Sequence, residues 1–156
     1  MENKKIAAVA MSGGVDSSVT ALLLQQKGYE VIGITGKMVD TQAADTVVKN
    51  AKRVADMLGI RHEVCDPCIM CNQFIKWGEL FDFACDKLGA DVYATGHYAD
   101  IKYENGIYKL YPAKDEHKDQ LYFLYRLGQK QLSKTIFPLY HYNKSEVKQM
   151  AVDFNL

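Results

Sequence analysis

Between residues 5 and 95 the chain alternates short β-suited runs with segments of helical period, and no other feature of the sequence restricts the fold as much. Lys5–Met11, Glu30–Ile34, Arg61–Val64 and Asp91–Thr95 read as strands. Between them, Asp16–Lys27 repeats Val19, Leu22 and Leu23 at helical spacing and closes at Gly28. Ala43–Leu58 places Val47, Val48, Ala51, Val54, Ala55 and Leu58 on one face before Gly59, and Gln73–Leu88 runs to Gly89. The order β-α-β-α-β-α-β predicts an α/β fold, an open parallel twisted sheet with helices on both faces. After Gly96 the rhythm changes. Ala99–Tyr103 and Ile107–Tyr111 flank Glu104-Asn105-Gly106, a hairpin signal because Asn-Gly tolerates positive φ. Gln120–Leu127 and Lys144–Phe154 are predicted helices. Asn143 or Ser145 caps the second, which turns Val147, Met150 and Ala151 to the core.

The size fits this scheme. With 156 residues, 48% of them apolar, the chain can build one core, and a single domain over 1–156 is expected. Nineteen basic residues balance nineteen acidic ones, so no bulk field draws in nucleic acid or membrane. The balance hides a tilt, because residues 109–156 carry +3 and residues 1–108 carry −3. Ile6–Met11 is far shorter than a membrane span and runs into Ser12-Gly13-Gly14 and Asp16, so no membrane association and a cytoplasmic location are expected.

Chemistry enters at Ser12-Gly13-Gly14-Val15-Asp16-Ser17-Ser18, after a strand and at the start of a helix. Glycines let backbone approach a phosphate, and helix-start N–H groups point at the anion. Ser12, Ser17 and Ser18 add hydroxyls. The segment is neither a Gly-Lys-Ser/Thr loop nor a Gly-x-Gly-x-x-Gly fingerprint. It resembles the pyrophosphate loop of enzymes that split ATP between its α and β phosphates. The loop does not separate amide-forming synthetases from sulfur-inserting enzymes.

Cys65, Cys68 and Cys71 follow the third strand with two residues between neighbours. Three convergent thiolates suit zinc with a fourth ligand, three irons of a [4Fe–4S] cluster, or sulfur transfer through persulfide and disulfide. Cys85, beside Phe81 and Phe83 in the next helix, reads as core. In open parallel sheets, sites gather beyond the carboxyl ends of the strands. Strand one ends at Ser12, strand three at Cys65 and strand four at Gly96-His97, so the phosphate loop and the thiols are expected on one rim.

Taken together, AMSGGVDSSV at 10–19, DPCIMCNQFIKW at 66–77, GADVYATGHYA at 89–99, KDQLYFLYRL at 118–127, FPL at 137–139 and KSEVKQMA at 144–151 closely resemble the tRNA-specific 2-thiouridylases. The resemblance implies a PP-loop fold and ATP with Mg²⁺ as co-substrate. It implies nucleotide contacts from Ala10, Met11, Ser12, Gly13, Gly14, Val15, Asp16 and Ser17, joined by Gly36 and Gly96. Cys71 stands at the position of the nucleophilic cysteine, while Asp66, Pro67 and Cys68 stand where the target uridine is met. His97 and Lys118-Asp119-Gln120 occupy positions that face tRNA. The implied reaction adenylates the uridine O2 and then replaces that oxygen with sulfur, which requires tRNA and a sulfur donor protein.

The chain departs from that family in two places. Arg61–Val64 runs straight into Cys65, where the family has a longer stretch including a helix. The sequence ends at Leu156, before the family's central domain, its C-terminal barrel and its second cysteine. Three readings stay open: Cys65 or Cys68 replaces the second cysteine, a [4Fe–4S] cluster on Cys65, Cys68 and Cys71 carries the sulfide, or the chain binds nucleotide and needs a partner chain to act. An amide-forming synthetase and a zinc-stabilised loop are the weaker rivals. Tyr122, Phe123 and Tyr125 beside Arg126 suit RNA stacking, but their helical spacing favours a core role. His62, His117 and His141 have no evident partner in the sequence.

Overall fold

The computed structural model describes residues 3–37, 39–65 and 77–156. Five parallel strands form the sheet: β1 (Ile6–Ala10), β2 (Glu30–Gly36), β3 (Arg61–Cys65), β4 (Val92–Ala94) and the short β7 (Thr135–Ile136), in spatial order β3-β2-β1-β4-β7. A separate antiparallel hairpin, β5 (Ala99–Glu104) and β6 (Ile107–Pro112), turns at Asn105-Gly106, both with positive φ. The parallel α/β architecture and the hairpin are as expected from the sequence.

Alternation along β1 sorts its side chains onto two faces. Ala7 and Val9 join Ala21, Leu24, Ala51 and Val54 from α1 (Val15–Gln26) and α2 (Gln42–Leu58). Ala8 faces the other way, with Ile32, Ile34, Leu80, Phe81 and Tyr93. Small β1 side chains let helices pack closely on both sides. Phe81 and Tyr93 are fully buried and meet edge-on, with ring centroids 5.5 Å apart. Burying a side chain of that size stabilises by roughly 1.5–3 kcal/mol.

Some sequence expectations need correction. Of the six apolar residues assigned to one α2 face, only Ala51, Val54 and Ala55 are buried, and Val47 is exposed. Residues 73–76 of the expected third helix lie outside the described residues. Trp77-Gly78 forms a turn, α3 follows over Glu79–Asp82, and Phe83–Lys87 is a π-helical turn closed by Leu88 N–H on the Phe83 carbonyl at 3.1 Å. The helix expected over Gln120–Leu127 is the single turn α4 (Leu121–Leu124), followed by the unexpected α5 (Gln129–Lys134) and β7.

The last helix, α6 (Lys144–Asp153), starts where expected. Asn143 Oδ1 accepts the Glu146 N–H at 2.9 Å while Glu146 Oε2 accepts the Asn143 N–H at 2.8 Å, a reciprocal capping box. Val147 and Ala151 pack against Val19 and Leu23 of α1. No described helix is long and apolar enough to cross a membrane.

Candidate nucleotide and thiol site

Strand order reverses beside β1: β2 and β3 lie on one side, β4 and β7 on the other. Ligands of open α/β sheets bind at such a switch point, beyond the carboxyl strand ends. The Ser12–Ser18 loop leaves β1 there. Its path depends on Gly13, whose φ is +79° and whose added Cβ would lie 2.4 Å from Asn50 Cβ and 2.7 Å from the Asn50 carbonyl carbon. Only glycine fits between the loop and α2.

Gly14 caps α1 without a side-chain hydrogen bond, so the first N–H groups of the helix remain open to an anion. The serines act partly on the loop itself. Ser18 Oγ donates to the Gly14 carbonyl at 2.7 Å and Ser17 Oγ to the same oxygen at 3.2 Å, and both residues are buried. Ser12 is exposed. Within the loop, the Ser12 N–H donates to Ser17 Oγ at 3.3 Å and the Gly14 N–H to Ser12 Oγ at 3.4 Å, so of the three serine side chains that of Ser12 is the one at the surface.

Gly96 closes the cradle from β4. A Cβ there would stand 2.9 Å from the Asp16 carbonyl carbon and Cβ, and 3.0 Å from Ser17 N. Beside it, His97 Nδ1 lies 2.6 Å from the buried Thr95 hydroxyl. The His97 ring lies 6.1 Å from both Trp77 and Phe137. On the other flank Gly36 pairs with Cys65, and Lys37 N–H donates to the Cys65 carbonyl at 2.8 Å. Ala10 through Ser17, Gly36, Cys65, Gly96 and His97 therefore share the carboxyl rim of the sheet. Asp66, Pro67, Cys68 and Cys71 lie outside the described residues.

Cys65 is buried at 8% exposure and packs in the cluster of Ile34, Leu80 and Ala84. Cys85 packs against the same cluster, as expected, and burial pushes its thiol pKa up. Among the described residues, no three His, Cys, Asp or Glu side chains converge as a metal site.

Asp16 is the charged centre of the rim. Its Oδ1 accepts the Tyr98 hydroxyl at 2.8 Å and pairs with Lys144 Nζ. Burial, with the Asp16 carboxylate second, holds the Tyr98 phenol protonated well above the usual range. Lys118 ends a 3₁₀ turn over Glu116–Lys118, and Asp119 and Gln120 follow it. Gln120 Oε1 accepts the Tyr98 N–H at 3.2 Å, its N–H donates to the Tyr98 carbonyl at 3.3 Å, and Asp119 Oδ1 accepts the Leu121 N–H at 3.1 Å. The segment thus reaches the phosphate loop through Tyr98. Tyr98, Lys144 and Asn50 were not among the site residues expected from sequence. The first two sit inside the GHYA and KSEV motifs, the available signal, whereas nothing marks Asn50.

The aromatic run overturns its core expectation. Tyr122 and Tyr125 are 67% and 68% exposed, and Arg126 lies over the Tyr125 ring, whereas Leu124 is fully buried. The Phe123 side chain lies outside those described. His62 does have a partner, the buried Thr35 hydroxyl at 2.8 Å from Nε2. Since that hydroxyl also donates to the Met11 carbonyl at 2.8 Å, His62 Nε2 carries the proton. Two surface clefts, about 610 Å³ along α2 and about 400 Å³ under the hairpin, are lined by no residue of the phosphate loop.

Known proteins resemble this chain in sequence and in fold. The chain matches the family described as tRNA methyl transferase HUP domain over residues 4–66 and 63–156. It is 43% identical over 175 residues to the tRNA-specific 2-thiouridylase MnmA of Syntrophomonas wolfei, covering 96% of this chain and 50% of that protein. The corresponding protein of Pelotomaculum thermopropionicum is 40% identical over 193 residues, covering 100% and 52%. The chain thus spans about half the length of the curated relatives it matches. Both aligned lengths exceed the 156 residues of the chain, so the relatives carry extra residues within the matched span. The family match divides at residues 63–66, where β3 runs into the cysteine segment.

Among solved structures, the U34-tRNA thiolase NcsA from Methanococcus maripaludis with its [4Fe-4S] cluster superposes with a TM-score of 0.65 at 19% identity, covering 99% of this chain and 59% of that one. A predicted subunit of tRNA methyltransferase from Methanocaldococcus jannaschii gives 0.55 at 17% identity, covering 95% and 74%. At such identities these two establish the fold. With its rim built from the residues named above and the match extending over nearly the whole sequence, the chain belongs to the tRNA methyl transferase HUP domain family.

Proposed function

We propose that the chain is the nucleotide-binding and sulfur-transferring part of a tRNA-uridine 2-sulfurtransferase. One observation carries the reading: Gly96 seats against Asp16 and Ser17 at the same strand ends where β3 delivers Cys65. A triphosphate cradle and the start of the cysteine segment thus share a rim, and relatives over 40% identical are named for uridine thiolation.

ATP lies with its phosphates on the N–H groups of Gly13 through Ser17. Mg²⁺, held by Asp16, would neutralise charge on the phosphates. The uridine O2 attacks the α-phosphorus, the bond to the pyrophosphate oxygen breaks, and the loop retains the departing pyrophosphate. His97 and Lys118-Asp119-Gln120 face the tRNA. The terminal sulfur of a Cys71 persulfide, loaded by a sulfur donor protein, attacks C2, and AMP leaves with the former oxygen. A second thiolate, from Cys68 or Cys65, then attacks the sulfur of Cys71. That step releases 2-thiouridine and leaves a disulfide, which a thiol reductant returns to two thiols. Cys65, the one cysteine of the trio that is described, packs among apolar side chains; together with Cys68 and Cys71 it would hold three irons of a [4Fe–4S] cluster, which would supply the sulfide in place of the persulfide.

The test supplies the purified chain with unmodified tRNA, Mg-ATP, a cysteine desulfurase with L-cysteine as the persulfide donor, and dithiothreitol as the reductant, and reads nucleosides by mass spectrometry. One AMP per 2-thiouridine is expected. AMP without thiouridine, in aerobic and in anaerobic iron-reconstituted protein alike, overturns the sulfur step. In a second reading, the chain binds ATP and turns over only with a partner chain. Binding without turnover alone, with activity restored by such a partner, identifies it.

A further inference from the structure

Tyr98 joins two parts of the site that the sequence keeps far apart. Its ring is buried among Val19, Leu23, Leu139 and Val147, while its hydroxyl reaches Asp16, 82 positions away, at 2.8 Å. Its backbone N–H and carbonyl both clasp Gln120. A second strap runs in parallel. Asp115 Oδ2 accepts the Lys144 N–H at 2.9 Å and its Oδ1 the His117 N–H at 3.1 Å, while Lys144 Nζ pairs with Asp16. The 115–120 segment is thus tied to a single carboxylate of the phosphate loop by two routes, one through the β4–β5 connection and one through α6.

We propose that Tyr98 is a positioning residue that registers the Lys118–Gln120 segment on Asp16, so that nucleotide and RNA bind with mutual dependence. The inference rests on the reading that this segment meets tRNA. A metal-bound triphosphate draws on the Asp16 carboxylate, whose partners are the Tyr98 hydroxyl and Lys144. The Tyr98 ring is packed on all sides and cannot swing away without opening a cavity. A shift of the carboxylate therefore reaches Gln120 through a rigid side chain, and seating of RNA on Gln120 acts back on the carboxylate. Such coupling is reciprocal by thermodynamic necessity.

The measurement is the affinity of α,β-methylene-ATP by calorimetry, with and without saturating unmodified tRNA transcript, for wild type, Tyr98→Phe and Asp115→Ala. The wild type is expected to bind the nucleotide at least about fivefold more tightly with tRNA present, within the usual span of coupled sites. In Tyr98→Phe the ratio falls toward one while the thermal midpoint stays within a few degrees, a result that mere loss of stability does not produce. Asp115→Ala, on a half-buried turn, lowers the ratio independently and decides the matter should Tyr98→Phe fail to fold. A wild-type ratio of one with both ligands bound, or an unchanged ratio in the variants, overturns the coupling and leaves the thiolation reading standing. Failure of the wild type to bind either ligand overturns both.

Discussion

Replacing Gly96 with alanine probes the seam between β4 and the phosphate loop with one carbon atom. The added Cβ would meet the Asp16 carbonyl carbon and Cβ at 2.9 Å and Ser17 N at 3.0 Å, where ordinary contacts are 3.4–4 Å. The overlap is about half an ångström or more, and it falls mostly on backbone of the first turn of α1, which cannot swing aside as a flexible side chain would. Overpacking of this kind costs about 1–3 kcal/mol. For a chain of this size, 1 kcal/mol shifts the melting temperature by about 2–4 °C, so the fall is about 2–12 °C. The atoms that must move carry the N–H groups assigned to the phosphates, so ATP affinity should drop by at least about tenfold. Thermal unfolding and nucleotide titration on one preparation read both effects. Wild-type ATP affinity in a folded Gly96→Ala protein would refute the placement of the triphosphate against Asp16 and Ser17.

Other perturbations act elsewhere. Asn143→Ala removes the capping box of α6 and should cost about 1 kcal/mol, read as a melting shift of about 2–4 °C. Phe81→Ala empties a fully buried ring site and should cost about 3–5 kcal/mol by denaturant titration. Burial, with Lys52 second, lowers the His62 pKa below its ordinary 6.5. The unfolded chain therefore binds the proton first on acidification. Stability should fall as pH drops from about 6.5 toward the folded value, and His62→Gln should flatten that segment of the pH–stability curve. Cys85, its thiol raised by burial, should react slowly with iodoacetamide at neutral pH, and Cys85→Ala should leave nucleotide binding unchanged.

Much of the frame was legible because its signals are local. Apolar runs of β1 through β4, the Gly13-Gly14 turn and the Asn143 cap of α6 each need only a few neighbouring residues, and each stands where the pattern put it, Asn143 rather than the alternative Ser145 serving as the cap. β7 was not legible: two residues, Thr135 and Ile136, become a strand only by pairing with Tyr93 and Ala94. Nor was the exposure of Tyr122 and Tyr125, because α4 is one turn long and buries Leu124 in place of its tyrosines. In the site, glycines announced the cradle, but Asp16, Tyr98 and Lys144 meet only through tertiary packing. The His62–Thr35 pair likewise joins strands that the sequence separates by a whole helix.

Sharing of one rim by cysteine segment and nucleotide can be tested without turnover, using 5′-chloroacetamido-5′-deoxyadenosine, whose electrophilic carbon stands near the position of the α-phosphorus. Peptide mass spectrometry should find the adduct on Cys71 or Cys68, and excess ATP should suppress it. Labelling of neither cysteine by a bound analogue, or labelling indifferent to ATP, would contradict the account.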